Sequence, residues 1–375
     1  MFDLGIEEEE APSHWSAPCT VAECKLHQLA PYIGKLKSSI AADLIGSYSR
    51  AGDTVLDPFC GSGTVPLQAA LMGRRPIGFD ANPYAVTLTQ AKLSPPQSLA
   101  EGRERLSRAL RLARKARAPD LRSVPIWVRR FFHPQTLKEA ISFVDACKKT
   151  EDYFLLACLL GVLHHQRPGF LSYPSSHLVP YLRTNKFPRS KFPELYAYRD
   201  IESRMVRKME RALEEESASA NLRSLGAQIE LRSVENGRVR YAVDSIITSP
   251  PYMNALDYKR DNRLRMWFLD DNTLDYSPEP TDRRGSFAEL MKAFCRNVLP
   301  SLKGGGHCVM VVGETVRRKR MTSHPATKVA ELFAEFCPKM QLSRIIEDDI
   351  PDVRRARRSY RATKTELILV FKKKR

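Results

Sequence analysis

The 375-residue sequence predicts an α/β fold: a doubly wound, mostly parallel sheet with a largely helical insertion. Three observations predict it. Thr54-Val55-Leu56 and Pro76-Ile77-Gly78-Phe79 read as short strands, joined by a glycine loop and a helix, and each runs into an acid, Asp57 and Asp80. Such β–loop–α–β units build open sheets with ligands at the strand ends. Far downstream, the apolar run Val243 to Ile247 reads as a buried strand by its length and β-branched content. It stops at Pro250-Pro251, which cannot continue a ladder. Between these two units, residues 95–222 read as helices and one loop-rich stretch.

Composition bounds the function. The apolar fraction of 43% and charged fraction of 27% suit a globular protein, and no apolar run approaches the ~20 residues of a membrane span. Glu7 to Glu10 stand where a signal peptide would carry basic residues, so none is expected, nor any membrane partner. Sixty Lys and Arg against 43 Asp and Glu give a net charge of +17, which points to a polyanionic partner, above all nucleic acid, or else to a basic surface kept for solubility. The eight cysteines form no C-x-x-C pair, so reduced thiols and no metal site are expected.

Taken in order, residues 1–18 read as an irregular arm. Ser38 is expected to cap a helix through Tyr48, with Ile40, Leu44 and Ile45 on one face. A helix from Val65 to Met72 stops at Gly73. In the insertion, Glu101 to Ala118 has Leu106, Leu110 and Ala113 at helical spacing, surrounded by Arg103, Arg105, Arg108, Arg111, Arg114, Lys115 and Arg117. That face is either solvated or phosphate-contacting. Thr136 with Glu139 suggests a capping box for a helix through Cys147, and Tyr153 to Leu163 a core helix. From Arg167 to Arg199, prolines and aromatics alternate with Arg183, Lys186, Arg189 and Lys191. This stretch is a candidate for contacting DNA, or a long connection whose aromatics cover helices. A polar helix, Arg199 to Glu216, leads to strands at Ile229–Ser233 and Val243–Thr248. Ser286–Leu299 reads as a helix, Lys303–Gly306 as a turn before a strand His307–Val312, and Ser343–Asp348 and Thr365–Lys372 as two closing strands.

The glycine spacing after Asp57 is not G-x-G-x-x-G, and a carboxylate there repels phosphate and suits a cation. Asp80 lies where such folds hold ribose hydroxyls. An adenosine ligand with a positive centre and no phosphate fits both acids, and S-adenosylmethionine is that ligand. At the other strand end, Ser249, the Pro250 carbonyl and the Tyr252 ring form a rigid ledge over the crevice, or simply a surface turn.

Together, Asp57-Pro58-Phe59-Cys60-Gly61-Ser62-Gly63-Thr64 and Thr248-Ser249-Pro250-Pro251-Tyr252 resemble the cofactor and catalytic motifs of amino-methylating DNA methyltransferases, which modify cytosine N4 or adenine N6. Pro31-Tyr32-Ile33-Gly34-Lys35 is similar to their extra cofactor motif. The resemblance covers roughly residues 27–92 and 228–375. It implies a class I, Rossmann-like methyltransferase sheet of seven strands with a closing antiparallel pair. The catalytic domain would comprise residues 1–94 and 223–375, and residues 95–222 a target recognition domain. S-adenosylmethionine would be held by Tyr32, Gly34 and Lys35, by Asp57 through Thr64 (Asp57, Pro58, Phe59, Cys60, Gly61, Ser62, Gly63, Thr64), and by Asp80, Ala81 and Asn82. Ser233 would lie beside the adenine, where family members more often have an acid. Ser249, Pro250, Pro251 and Tyr252 would be catalytic.

The implied enzyme acts on double-stranded DNA at specific sequences, in a prokaryotic cytoplasm on the nucleoid, in a restriction–modification setting; a homodimer stays open. Ser before the double proline favours cytosine N4 by resemblance, and Asp would favour adenine N6. Three alternatives stand beside it: an adenine-N6 enzyme, an RNA methyltransferase on the same fold, and a nucleic-acid-binding protein with a vestigial cofactor site.

Overall fold

The computed structural model describes residues 6–16, 23–165, 167, 169–176, 179–214, 222–251, 258–269, 283–315, 325–349 and 363–375. Among the described residues, eight strands form one sheet: β1 (Glu7–Glu10), β2 (Thr54–Asp57), β3 (Arg75–Asp80), β4 (Gln228–Leu231), β5 (Val243–Thr248), β6 (Leu302–Thr315), β7 (Met340–Asp349) and β8 (Thr363–Lys373). Their order is β1-β7-β8-β6-β5-β2-β3-β4. All pairs are parallel except β8, which runs antiparallel to both β6 and β7. Seven of these strands make the doubly wound sheet with its closing antiparallel pair. Strand order reverses between β2 and β5, so the crevice at this switch point opens beside Asp57 and Ser249.

The eighth strand corrects the irregular arm expected at the N-terminus. Glu7–Glu10 pairs in parallel with β7, and Arg344 reaches Glu7 at 3.1 Å and Glu9 at 3.5 Å. The glycine turn expected before the fifth strand lies inside β6. Val243 pairs with Leu302 and Ser245 with His307, so residues 303–306 bulge out of the ladder. Gly306 is required there, because a Cβ would stand 2.6 Å from the Asp244 carbonyl.

Helices cover both faces, as buried parallel strands require. Helices α1 (Ser38–Tyr48) and α2 (Thr64–Leu71) pack Ile40, Leu44 and Val65 against Val55, Ile247, Val309 and Ile368. Across the sheet, Phe294 and Phe333 pack on Leu56, Ile246, Met310 and Phe371. They come from helices that we number α10 (Arg283–Asn297) and α11 (Pro325–Phe336). The third core joins α3 (Pro83–Leu93) to the insertion helices α4 (Leu99–Lys115), α5 (Ile126–Arg129), α6 (Pro134–Lys149), α7 (Tyr153–Val162) and α8 (Ile201–Ala212). It also takes Leu264, Met266 and Phe268 from α9 (Tyr258–Leu269). The insertion is therefore continuous in packing with α3 and α9.

Local signals explain the helix starts. Ser98 accepts from the Glu101 amide at 3.1 Å while Glu101 accepts from the Gln97 amide at 2.7 Å, a capping box that opens α4. The box expected at Thr136 is absent. Pro134, whose fixed φ suits a first helical turn, starts α6 one residue after the His133 cap. Thr136 instead bonds both the carbonyl and the amide of Arg199, tying α6 to the entrance of α8. Ser38 begins α1 without capping it; its hydroxyl donates to Glu23 at 2.7 Å.

Candidate active site

The carboxylate of Asp57 is buried where β2 ends. Pro58 has no N–H, so the next amide, Phe59, donates to Asp57 Oδ1 at 3.2 Å. The same oxygen accepts the Thr248 hydroxyl at 2.6 Å. One acceptor thus ties the glycine loop to the end of β5, across 191 residues of chain. At the end of β3, Asp80 accepts from the Gly61 amide at 2.9 Å and the Asn82 amide at 2.8 Å. Asn82 caps α3 by accepting from the Tyr84 amide, with Pro83 in the first turn.

The loop between them needs its glycines. Gly61 and Gly63 have φ of +49° and +75°, in the left-handed region. At Gly63 a Cβ would also stand 2.7 Å from the Thr89 hydroxyl. Burial raises Asp57 to about 7, against the hydrogen bonds from Thr248 and Phe59, with the Asp80 charge adding to the rise. Burial raises Asp80 to about 6, against the Asn82 and Gly61 amides. Two acids held this far above their ordinary range gain from a cation or hydroxyl donors at the same spot. Burial also pushes the Cys60 thiol well up, so it is no thiolate nucleophile.

A cleft of about 930 Å³, open to solvent, lies over these groups. Its walls bring together Tyr32, Gly34 and Lys35, the loop residues Asp57, Phe59, Cys60, Gly61, Ser62 and Thr64, then Asp80, Ala81 and Asn82, and Ser249 with Pro251. Tyr32 stacks on Tyr84 with ring centroids 5.9 Å apart, and the Tyr84 hydroxyl holds the Pro31 carbonyl at 2.8 Å. Phe59 stacks on Phe294 of α10. The Ser249 hydroxyl donates to the Val311 carbonyl at 3.3 Å, which leaves its lone pairs free to accept from a ligand.

Four residues expected at the site do not line the cleft. Pro58, Gly63 and Pro250 are buried behind its wall. Ser233 lies past the end of β4 and bonds within its own turn, to Glu235 and Asn236. Tyr252 lies outside the described residues. Leu36, Val65 and Met266 line the cleft and were not anticipated, and Thr248 anchors it. Thr248 was part of the pentapeptide that marked the ledge, so its neighbours were the signal available.

Beside the ledge, α9 locks onto the insertion. Arg263 donates to the Pro180 carbonyl at 2.9 Å and Arg265 to the Leu160 carbonyl at 3.2 Å, while Met266 faces the cleft. Farther along the insertion, Lys186, Arg189 and Lys191 stand exposed. The arginines of α4 are mostly engaged elsewhere. Arg103 pairs with Glu210, Arg105 with Asp152 and Glu101, Arg108 with Glu104, and Arg114 with Glu202. Among the described residues, no helix is long and apolar enough to cross a membrane.

A family model described as DNA methylase matches residues 20–91, the span from the Tyr32 motif through the glycine loop and Asp80 to α3. The chain is 32% identical over 92 residues to the type II methyltransferase M.MjaII of Methanocaldococcus jannaschii, covering 24% of this chain and 15% of that protein. Over this region the chain is similar to the DNA amino-methyltransferase family. The chain is also similar to a tRNA (guanine(10)-N2)-dimethyltransferase of Methanothermobacter thermautotrophicus, 38% identical over 63 residues, 16% of this chain and 19% of that one. The chain thus aligns with less than a fifth of either relative's length. Solved structures similar to it include the rRNA methyltransferase aviRa from Streptomyces viridochromogenes, with 13% identity, coverage of 96% of this chain and 94% of that one, and a TM-score of 0.36. TrmN from Thermus thermophilus has 12% identity, covers 91% and 50%, and also scores 0.36.

The cofactor that this similarity implies is S-adenosylmethionine. The cleft fits it on its own terms. Its two acids, Asp57 buried and Asp80 half-buried, and its glycine loop suit a ligand with ribose hydroxyls and a cationic centre.

Proposed function

We propose that this chain is a DNA methyltransferase that moves a methyl group from S-adenosylmethionine to the exocyclic amine of a flipped base, with cytosine N4 favoured over adenine N6. One observation carries the proposal: the cleft that holds the two raised carboxylates is closed on its other side by Ser249, whose hydroxyl proton is already engaged.

In this reading Asp80 takes the ribose hydroxyls, Asp57 holds the loop and the ledge in register, and Tyr32, Gly34 and Lys35 close over the methionine end. When bound, the cofactor supplies an activated methyl on a sulfonium. A base amine is a poor nucleophile because its lone pair is delocalised into the ring. Ser249 Oγ, on the cleft wall, would accept one of its N–H bonds and help the nitrogen pyramidalise; the Pro250 carbonyl, whose direction Pro251 sets, would accept the other only once turned toward the cleft, since Pro250 lies behind the wall. Since these contacts strengthen as charge develops, they act on the transition state, and positioning does the rest. Tyr252 would give the flipped base a face to stack on; extrusion costs a few kcal/mol. Residues 95–222 would read the target, with Lys186, Arg189 and Lys191 meeting phosphates, and the enzyme would work in the cytoplasm on duplex DNA.

The test is nucleoside mass spectrometry on DNA and RNA incubated with the protein and the cofactor. The expected product is 4-methylcytosine in DNA. Finding 6-methyladenine alone would move the base assignment and leave the mechanism. Methylated RNA with unmodified DNA would favour the second reading, which the similarity to a tRNA dimethyltransferase supports.

A further inference from the structure

A buried amine lies beneath the glycine loop. Lys92, in the last turn of α3, is 0% exposed, and its Nζ donates to the Ser62 carbonyl. Among the described residues it has no carboxylate ion pair; Lys35 and Glu23 are the charged side chains whose fields reach it most strongly. Burial, with the Lys35 charge adding, lowers the amine to about 7. Nothing in the packing calls for such a group. A buried amine without an acid is expensive, and an apolar side chain of the same volume is often as stable or more so.

What the amine does reach is the loop. Thr89 lies three residues earlier, on the same face of α3. Its hydroxyl donates to the Ala85 carbonyl at 3.0 Å and approaches the Gly61 carbonyl at 3.4 Å, and it fills the space that a side chain at position 63 would need. Thr89 and Lys92 together therefore floor the stretch Gly61-Ser62-Gly63 from the α3 side. Within the loop, the N–H of the Ser62–Gly63 peptide donates to the Cys60 carbonyl at 2.7 Å, which leaves the carbonyl on the other side of that peptide to be held from outside the loop. That carbonyl is held by Lys92.

We propose that Lys92 is a positioning residue for the cofactor: its amine keeps the Ser62 carbonyl on the α3 side of the loop and so fixes the backbone shape that receives the ligand. This rests on the cofactor reading of the cleft given above. It explains why a costly amine is kept, since the cost falls on stability and the benefit on binding. Lys92 neither lines the cleft nor touches reacting atoms, so turnover at saturation should be spared.

The experiment compares the full-length wild type with Lys92→Met, Lys92→Leu and Lys92→Gln, by thermal unfolding without ligand and by calorimetry with S-adenosylmethionine. Lys92→Met and Lys92→Leu should unfold at or above the wild-type temperature yet bind the cofactor at least about tenfold more weakly, with kcat at saturating cofactor within about twofold. Lys92→Gln keeps a donor and should recover to within about threefold of wild type. A folded Met or Leu variant with wild-type affinity overturns the proposal. So does an affinity loss that tracks a lower unfolding temperature and is not rescued by Gln, which is what a merely structural lysine would give. A wild type that binds no cofactor removes the reading of the cleft and this inference with it, and that outcome is visible before any variant is made.

Discussion

Two regions of the chain are built on charged side chains and use them in opposite ways. In the unit from β2 to α3 three of the five charged side chains serve the loop: Asp57 and Lys92, buried, and Asp80, half-buried, bond its backbone and hydroxyl groups, and burial displaces the pKa of all three. In the insertion the charges are many and mostly exposed. Arg103–Glu210, Arg108–Glu104 and Arg114–Glu202 are surface pairs, worth ~0–1 kcal/mol each. The first arrangement is costly without a ligand, and the second is nearly neutral. The difference teaches that the number of charges in a segment says little about function; the strain on each says more.

The contrast can be broken most directly at the ledge. Ser249→Ala should lower turnover by ~10²-fold, as loss of one transition-state hydrogen bond does, and leave cofactor affinity within a factor of about two. Single-turnover kinetics beside calorimetry separates the two effects. An equal loss in both would make Ser249 a binding residue only.

A smaller effect is expected on the cofactor side. Asp80→Ala removes the acceptor of two loop amides and of the proposed ribose contact, and should cost ~1–3 kcal/mol of cofactor binding. Unchanged affinity in a folded variant, measured by calorimetry, would sink the ribose role.

The insertion is sharpened by salt. Replacing Lys186, Arg189 and Lys191 by alanine should flatten the plot of log affinity for DNA against log salt by up to ~3, at ~0.9 for each phosphate no longer neutralised. Replacing Arg103 and Arg108, whose charges are already paired, should change that slope much less. Equal slopes for the two variants would return the α4 face to consideration.

The smallest effect, and the one that tests strain itself, is a pH dependence. A carboxylate whose folded-state pKa is raised holds its proton more tightly folded than unfolded. Its contribution to stability is therefore full below the ordinary value of 3.8 and lost as pH rises through about 7. Both donors to Asp57 reach the same oxygen, Oδ1, so Asp57→Asn can keep both bonds while shedding the charge. The ligand-free Asn variant should melt a few degrees above wild type at pH 8, by ~1 kcal/mol or more, and the gap should close toward pH 5. A gap that is independent of pH would mean Asp57 is not strained. Over the same range, ionisation of Asp57 and Asp80 should make cofactor affinity rise with pH.

Much of the fold was legible because the chain announces its strand ends. Asp57, Asp80 and Pro250-Pro251 mark three ends of parallel strands, and the switch point follows from them. What was not legible depended on partners distant in sequence. By resemblance Ser233 belongs beside the adenine, but β4 stops at Leu231 and the chain turns away into its own hydrogen bonds. Thr136 and Glu139 have the spacing of a cap, yet Pro134 starts the helix first. The α4 arginines look free in the sequence because Glu202, Glu210 and Asp152, which pair with three of them, lie 47 to 107 residues downstream. Lys92 gives no signal because a lysine near a helix end normally points to water, and only the packing of the glycine loop reveals that this one does not.

The four glutamates of β1 carry a further consequence, for assembly. An open sheet can grow between molecules by pairing a free edge with another chain. Here β7 is already covered, and the strand that covers it is short and carries four exposed glutamates, two of them paired with Arg344, so a second copy brought against it would meet like charge at the other two. The opposite edge, β4, is another matter: it exposes Leu231 and ends the sheet without such a guard. Among the described residues, this is the sheet edge at which a dimer built by continuing the sheet would form.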